Sequence, residues 1–121
     1  MSEMKIDVDL LLQEYFLSHD VDEAARCVKQ FNSPHFYHEV VKRAITNSFD
    51  KSASTRDVAH ALLLHLFRED IVSPGQMSLG FQLVHARLPD IVLDTPTAST
   101  LFQEAVSKAK ADGILSADVS F

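Results

Sequence analysis

Apolar positions recur at helical spacing along almost the whole chain. After Ser33-Pro34 come Phe36, Val40, Val41, Ala44, Ile45 and Phe49, one face of a 3.6-residue period, with Glu39, Lys42 and Arg43 on the expected wet side. Between Ser54 and Asp70, Val58, Ala59, Ala61, Leu62, Leu63, Leu64, Leu66 and Phe67 leave almost no polar face, which predicts a central helix covered on several sides. Past Pro74, Met77, Phe81, Val84 and Leu88 form a narrow stripe containing Gly80. Alanine there would favour the helix by about 1 kcal/mol, so the glycine marks either close helix packing or a plain weak spot. Leu10, Leu11, Glu14, Tyr15 and Leu17 belong to a first helix, and Leu101, Phe102, Ala105, Val106 and Ala109 to a last one. Gly113 can end that last helix in a left-handed conformation.

Turn chemistry agrees with these stripes. Ser33-Pro34, Ser73-Pro74 and Thr95-Pro96 each set a hydroxyl residue before a proline, the pairing expected of an N-cap followed by the first helical turn. Ser73 with Gln76, Ser54 with Asp57, and Asp20 with Glu23 repeat the capping-box spacing, the last predicting a helix from about Val21. No β-alternation appears. The pattern predicts an all-α fold of six or seven helices, a HEAT-like stack of antiparallel helical hairpins, in one domain over residues 1–121. The Ser-Pro pairs at 33 and 73 lie one HEAT-like period apart.

Composition narrows the function classes. A chain of 121 residues with 46% hydrophobic positions can bury one core. Only 3 glycines and 4 prolines argue against a many-stranded sandwich and a glycine-rich phosphate loop. Lysine plus arginine number 11 against 17 acids, a net charge of −6 that disfavours nucleic acid and anionic membrane as bulk partners. Residues 1–25 hold seven acids and one base, so this excess lies in the first helical region. A lone Cys27 permits no intrachain disulfide and predicts a reducing intracellular compartment. No apolar run is long enough to span a bilayer, and the acidic N-terminus is unlike a signal peptide.

Enzyme chemistry finds no footing in the residues. His35, His38 and Glu39 follow neither zinc-helix order, and core or capping roles explain the histidines, so neither metal nor cofactor is expected. Cys27 sits among Ala24, Ala25 and Val28 and reads as a packed thiol. The segment Pro89-Asp90-Ile91-Val92-Leu93-Asp94-Thr95-Pro96 stands out. It is expected between two helices, in a stretch from Leu88 to Ser107 that has three acids and no lysine or arginine. If Pro89 opens one helical turn, Asp90 and Asp94 share a face at i,i+4 and repel by about 0.2 to 0.5 kcal/mol. Such a pair could grip a basic residue of another protein. Equally, Asp90 could stabilise the amino end of a short helix while Asp94 helps to cap the next one.

Four ordered blocks carry a family resemblance: Glu14-Tyr15-Phe16-Leu17-Ser18-His19-Asp20 with Glu23-Ala24; Ser33-Pro34-His35-Phe36-Tyr37-His38-Glu39-Val40-Val41; Leu88 to Pro96; and Asp112-Gly113-Ile114-Leu115. Over about residues 8–116 the chain resembles the MA-3 domain, also called MI. The resemblance implies a HEAT-like adaptor rather than an enzyme. Its implied partner is the DEAD-box RNA helicase of translation initiation, of the initiation factor 4A type. Inhibitory members pair acids with basic residues on the helicase's amino-terminal lobe, holding it open and repressing cap-dependent translation. Other members recruit or stimulate the helicase, or act in the nucleus on related ones.

Carried over by position, the acids fall on Asp90, Asp94 and Asp50. Asp50 is expected at a helix carboxyl end, where an anion is disfavoured by about 0.3 to 1 kcal/mol, although solvated loop polarity also accounts for it. Inhibitors of this type typically carry two such domains and a basic amino-terminal region that binds RNA; with one domain and no such region in this sequence, the expectation is either a fragment of a longer protein or an isolated domain. A cytoplasmic or nuclear location follows from the same resemblance.

Overall fold

Short connections separate every pair of consecutive helices. The computed structural model describes residues 2–121, with side chains from Lys5 onward. In chain order it has α1 (Ser2–Ser18), α2 (Val21–Phe31), a 3-10 turn (Pro34–Phe36), α3 (His38–Ser48), α4 (Ala53–Arg68), α5 (Pro74–Asp94) and α6 (Ala98–Ala111). No strand occurs among the described residues. Helices α1 and α2, α3 and α4, and α5 and α6 pack as successive hairpins. Across hairpins α3 packs on α1 and α5, while α4 packs on α2 and α6, so odd and even helices form two layers of one stack.

Several helix ends are local chemistry that the sequence announces. The Asp20 carboxylate accepts from the Glu23 amide at 3.1 Å, and the Ser73 hydroxyl from the Gln76 amide at 3.2 Å. Gly113, at φ +81°, closes α6: its amide donates to Lys110 while the Ile114 amide reaches back to Ala109. Asp70, at φ 56°, repeats this arrangement after α4.

Three expected starts move. Ser52, not Ser54, caps α4, because its hydroxyl accepts from the Thr55 amide. Ser33-Pro34 heads the 3-10 turn rather than α3 itself. Thr95-Pro96 opens no helix: the Thr95 amide ends α5 by donating to Ile91 at 2.9 Å, and its carbonyl accepts from Ala98 at 2.9 Å in a tight turn that precedes α6. Thr97 precedes α6 instead.

The core lies between the two layers, with Leu12, Val28, Val40, Val41, Leu62, Leu66, Met77, Phe81 and Phe102 all buried. Helix α4 is central as its sequence predicts: it touches α1, α2, α3 and α6, and buries Ala59, Leu62, Leu63 and Leu66. Ala61 alone of its expected apolar set is exposed. Both tyrosines bury their rings and donate their hydroxyls to carbonyls, Tyr15 to Val58 at 2.7 Å and Tyr37 to Val28 at 2.9 Å. Burial pushes the Tyr15 phenol above its ordinary pKa.

Gly80 proves to be a close-packing site. A Cβ at this position would lie 2.5 Å from Cβ and Cγ1 of Val41 and 3.1 Å from the His38 carbonyl oxygen. One turn earlier, Oε1 of Gln76 accepts from the His38 amide at 2.7 Å and lies 2.9 Å from His38 Nδ1. That oxygen only accepts, so Nδ1 carries the proton in this contact. Helix α5 thus caps the start of α3 and then lies directly on it.

The expected wet side of α3 is corrected. Glu39 is only 6% exposed, because α1 lies over it. Its carboxylate, in the first turn of α3, faces Arg43 Nε at 3.4 Å, Lys42 Nζ at 3.8 Å and Lys5 Nζ at 4.0 Å. Arg43 also donates to Asp9 of α1 at 2.7 Å, and Asn47 donates to the second oxygen of Asp9 at 3.1 Å. A carboxylate can be buried here because a helix amino end and three cations compensate its lost hydration.

Lys108 of α6 donates to Asp57 of α4 at 2.7 Å, and His60 Nε2 lies 2.6 Å from Asp112. The Lys108 hydrogen bond, then its charge, hold the Asp57 carboxyl below the usual carboxylate range. A depressed folded pKa stabilises above the unfolded value, and that contribution disappears as pH falls through the folded one.

Two outcomes follow. Gly80→Ala should destabilise the fold by about 1 to 3 kcal/mol in urea unfolding, and adding Val41→Ala should cost less than the two single changes together. Lys108→Ala should return the Asp57 titration, followed by carboxyl NMR, to the ordinary range and remove its share of acid sensitivity.

Candidate functional site

The last turn of α5 holds the two acids that the sequence singles out. Helix α5 runs unbroken through Pro89 to Asp94, so the expected loop headed by Pro89 is not there. Proline's fixed φ is helical, but it has no amide to offer the His85 carbonyl, and its ring crowds that carbonyl. The cost of about 3 kcal/mol for an interior proline is offset because Val84 and Leu88 are buried and Ile91 packs against the core. The helix is kept by tertiary contact.

This correction changes what Asp90 and Asp94 can do. They share one face at i,i+4, as expected, but at the carboxyl end of α5 rather than the amino end of a new turn. The macrodipole there opposes negative charge. Asp90 therefore does not stabilise a helix start, and Asp94 makes no capping bond to α6, which begins after Thr97. Both are exposed, and no cation or hydrogen-bond donor pairs with either among the described residues. Their mutual repulsion and the unfavourable dipole together cost on the order of 1 kcal/mol. Leu93, 79% exposed, stands beside them on the same outer side of the turn. Apolar periodicity assigns no role to it. Its place between two acids at helical spacing is the signal that could have marked it.

Asp50 is exposed just past Phe49, which ends α3. It lines a groove of 320 Å³ whose other wall is made by Ile91 and Thr95, each one position beyond an acid of the ridge. Leu12 and Phe16 of α1 line this groove too. Asp90 and Asp94 stand outside it. The structure therefore brings Asp50 to the flank of the α5 turn without joining all three carboxylates in one cluster. An adjoining groove of 200 Å³ is lined by Lys42, Arg43 and Arg87 with Thr46 and Ile91, so the acid ridge has a basic neighbour that its own basic-free segment conceals.

Other candidate chemistry stays apart. Among the described residues no group of three or more His, Cys, Asp and Glu side chains could hold a metal ion. Cys27 is half-buried with Sγ 3.6 Å from a Glu23 oxygen. No helix of the described residues is long and apolar enough to cross a membrane.

Residues 4–116 match the family described as MA3 domain. Programmed cell death protein 4 of Homo sapiens is 34% identical over 111 residues, which cover 91% of this chain and 24% of that protein. MA3 domain-containing translation regulatory factor 2 of Arabidopsis thaliana is 36% identical over 121 residues, 100% of this chain and 17% of that protein. The Gallus gallus programmed cell death protein 4 is 35% identical over the same extent as the human one. The chain spans a quarter or less of the length of these relatives.

Pro89→Ala would restore the missing amide and remove the ring clash. It should raise the unfolding free energy by about 1 to 2 kcal/mol, read as a higher urea midpoint at unchanged slope.

Proposed function

Because the chain belongs to the MA3 domain family, we propose that it is a translation-regulatory adaptor that binds a DEAD-box RNA helicase, of the initiation factor 4A type, and inhibits it. The observation that carries the reading is the unpaired acid ridge at the end of α5. Two carboxylates one turn apart suit an arginine fork or a lysine held between them. A helicase lobe that grips RNA phosphates must present such cations. The ridge would compete for them by carrying negative charge on a rigid helix.

Leu93 gives this contact an apolar anchor beside the charges, the combination in which a few residues dominate binding. Asp50 would add a peripheral contact across the groove from Ile91. Occupying the RNA-facing surface of the amino-terminal lobe would keep the two lobes from closing over ATP and RNA. That blocks turnover without any chemistry in the adaptor. Repressed cap-dependent translation would be the consequence.

Titrating the domain against the isolated amino-terminal lobe, with RNA-stimulated ATPase read in parallel, tests both partner and sign. The wild-type chain should bind and lower turnover; raised turnover would instead identify a stimulating scaffold. Asp90→Ala with Asp94→Ala should weaken binding by about 2 kcal/mol or more, roughly thirtyfold, while thermal stability holds or rises as the repulsion is relieved. Leu93→Ser should weaken binding by about 1 kcal/mol or more. Unchanged affinity in the double alanine variant would remove the ridge from the interface.

A further inference from the structure

Helix α1 is apolar on two opposite faces. Val8, Leu11, Leu12 and Tyr15 face the core, all of them buried. Ile6, Leu10 and Leu17, at 59%, 53% and 87% exposure, fall about half a turn around from these, and with Gln13 they form one stripe at i, i+4, i+7 and i+11. Large apolar side chains aligned this way are not the scattered singles that a surface tolerates.

One border of the stripe is acidic. Asp7 and Glu14 run along one edge, both exposed and without a cation partner among the described residues. Beyond that edge, Glu14 joins Asp20 and Glu23 on a groove of 180 Å³ between α1 and α2, floored by Leu11 and Tyr15. Arg26 already pairs with Glu23, and Lys5 turns towards Glu39, so among the described residues Asp7 and Glu14 are left with no cation of their own. On the other edge Asp9 is occupied by Arg43 and Asn47, and Lys51 borders the groove that Leu17 shares with Phe16.

We propose that this face of α1 docks a cationic amphipathic helix of a partner protein. Its apolar stripe would lie on Ile6, Leu10 and Leu17, with a row of lysine or arginine over Asp7 and Glu14. Charge decides among the possible occupants. A second copy of α1 would set acids against acids, and an anionic membrane would be repelled by the same edge. A basic helix satisfies both the apolar stripe and its border. The surface shares no residue with the ridge of Asp90, Leu93 and Asp94.

The probe is a synthetic leucine–lysine peptide of about 14 residues, enough to span the stripe at 1.5 Å per residue, with leucines at helical spacing. Two controls accompany it: a scrambled peptide of equal composition, and a leucine–glutamate version of the same pattern. Calorimetric titration should show the patterned basic peptide binding at least tenfold more tightly than the scrambled one, with no binding of the acidic one. Leu10→Ser with Leu17→Ser should reduce its affinity about tenfold, as should Asp7→Lys with Glu14→Lys; all four positions are exposed, so circular dichroism should show the fold intact. Equal binding of patterned and scrambled peptides, or unchanged binding by the stripe variant, would overturn the proposal. So would sedimentation showing a wild-type dimer that the stripe variant abolishes, or binding to vesicles of anionic lipid.

Discussion

The seat of α5 on α3 governs most of the structure. Helix α3 lies mid-stack, packed by α1, α4 and α5, so the angle at which α5 crosses it sets the position of everything α5 carries. Two local features fix that angle. Gln76 caps the α3 amino end, and Gly80 lets the α5 backbone come down on Val41 where any side chain would collide. Met77, Phe81 and Val84 are buried along the same face. At 1.5 Å per residue, α5 extends about 20 Å from Gly80 to Asp94, so the last turn is aimed by a contact far from itself.

Carboxylates meet two contrasting fates in this frame. Glu39 and Asp9 are drawn into a network with Arg43, Lys42, Lys5 and Asn47 that seats α1 on α3. Asp57 and Asp112 are used between α4 and the end of α6. Asp90, Asp94, Asp7 and Glu14 have no such partner among the described residues, and all four are exposed. The net charge of −6 describes neither group well. Which acids are free is decided by packing, because a helix pair brings cations to some carboxylates and leaves others facing water.

The sequence makes helices legible where local chemistry decides them. The apolar stripes of α3, α4 and α5, the Asp20 and Ser73 caps and the left-handed Gly113 are all of this kind. It misleads where distant contacts win. Glu39 has the spacing of a wet residue and is buried because α1 covers it. Pro89 reads as a break, yet the buried side of α5 carries the helix past it. For the candidate site, the i,i+4 placement of Asp90 and Asp94 could be read directly. Their position at a helix carboxyl end, the exposed Leu93 beside them and the flanking groove of Asp50 could not, since each depends on where α5 stops. Helix α1 shows the same limit: apolar residues on opposite faces resemble a buried helix until exposure separates Leu11 and Leu12 from Leu10 and Leu17.

Packing and proposed function meet in the energy of the α5 end. An isolated helix would relieve an acid pair at its carboxyl terminus by fraying, since like charges and the dipole both oppose it by tenths of a kcal/mol to about 1 kcal/mol each. Here the buried side of the same turns, from Val84 through Leu88 to Ile91, holds the helix against that tendency, and the local repulsion persists in the folded state. A partner's cation placed between Asp90 and Asp94 would remove it. Part of the core's stabilisation is thus available as binding energy at a rigid surface, with little of the ordering cost that a mobile acidic loop would incur.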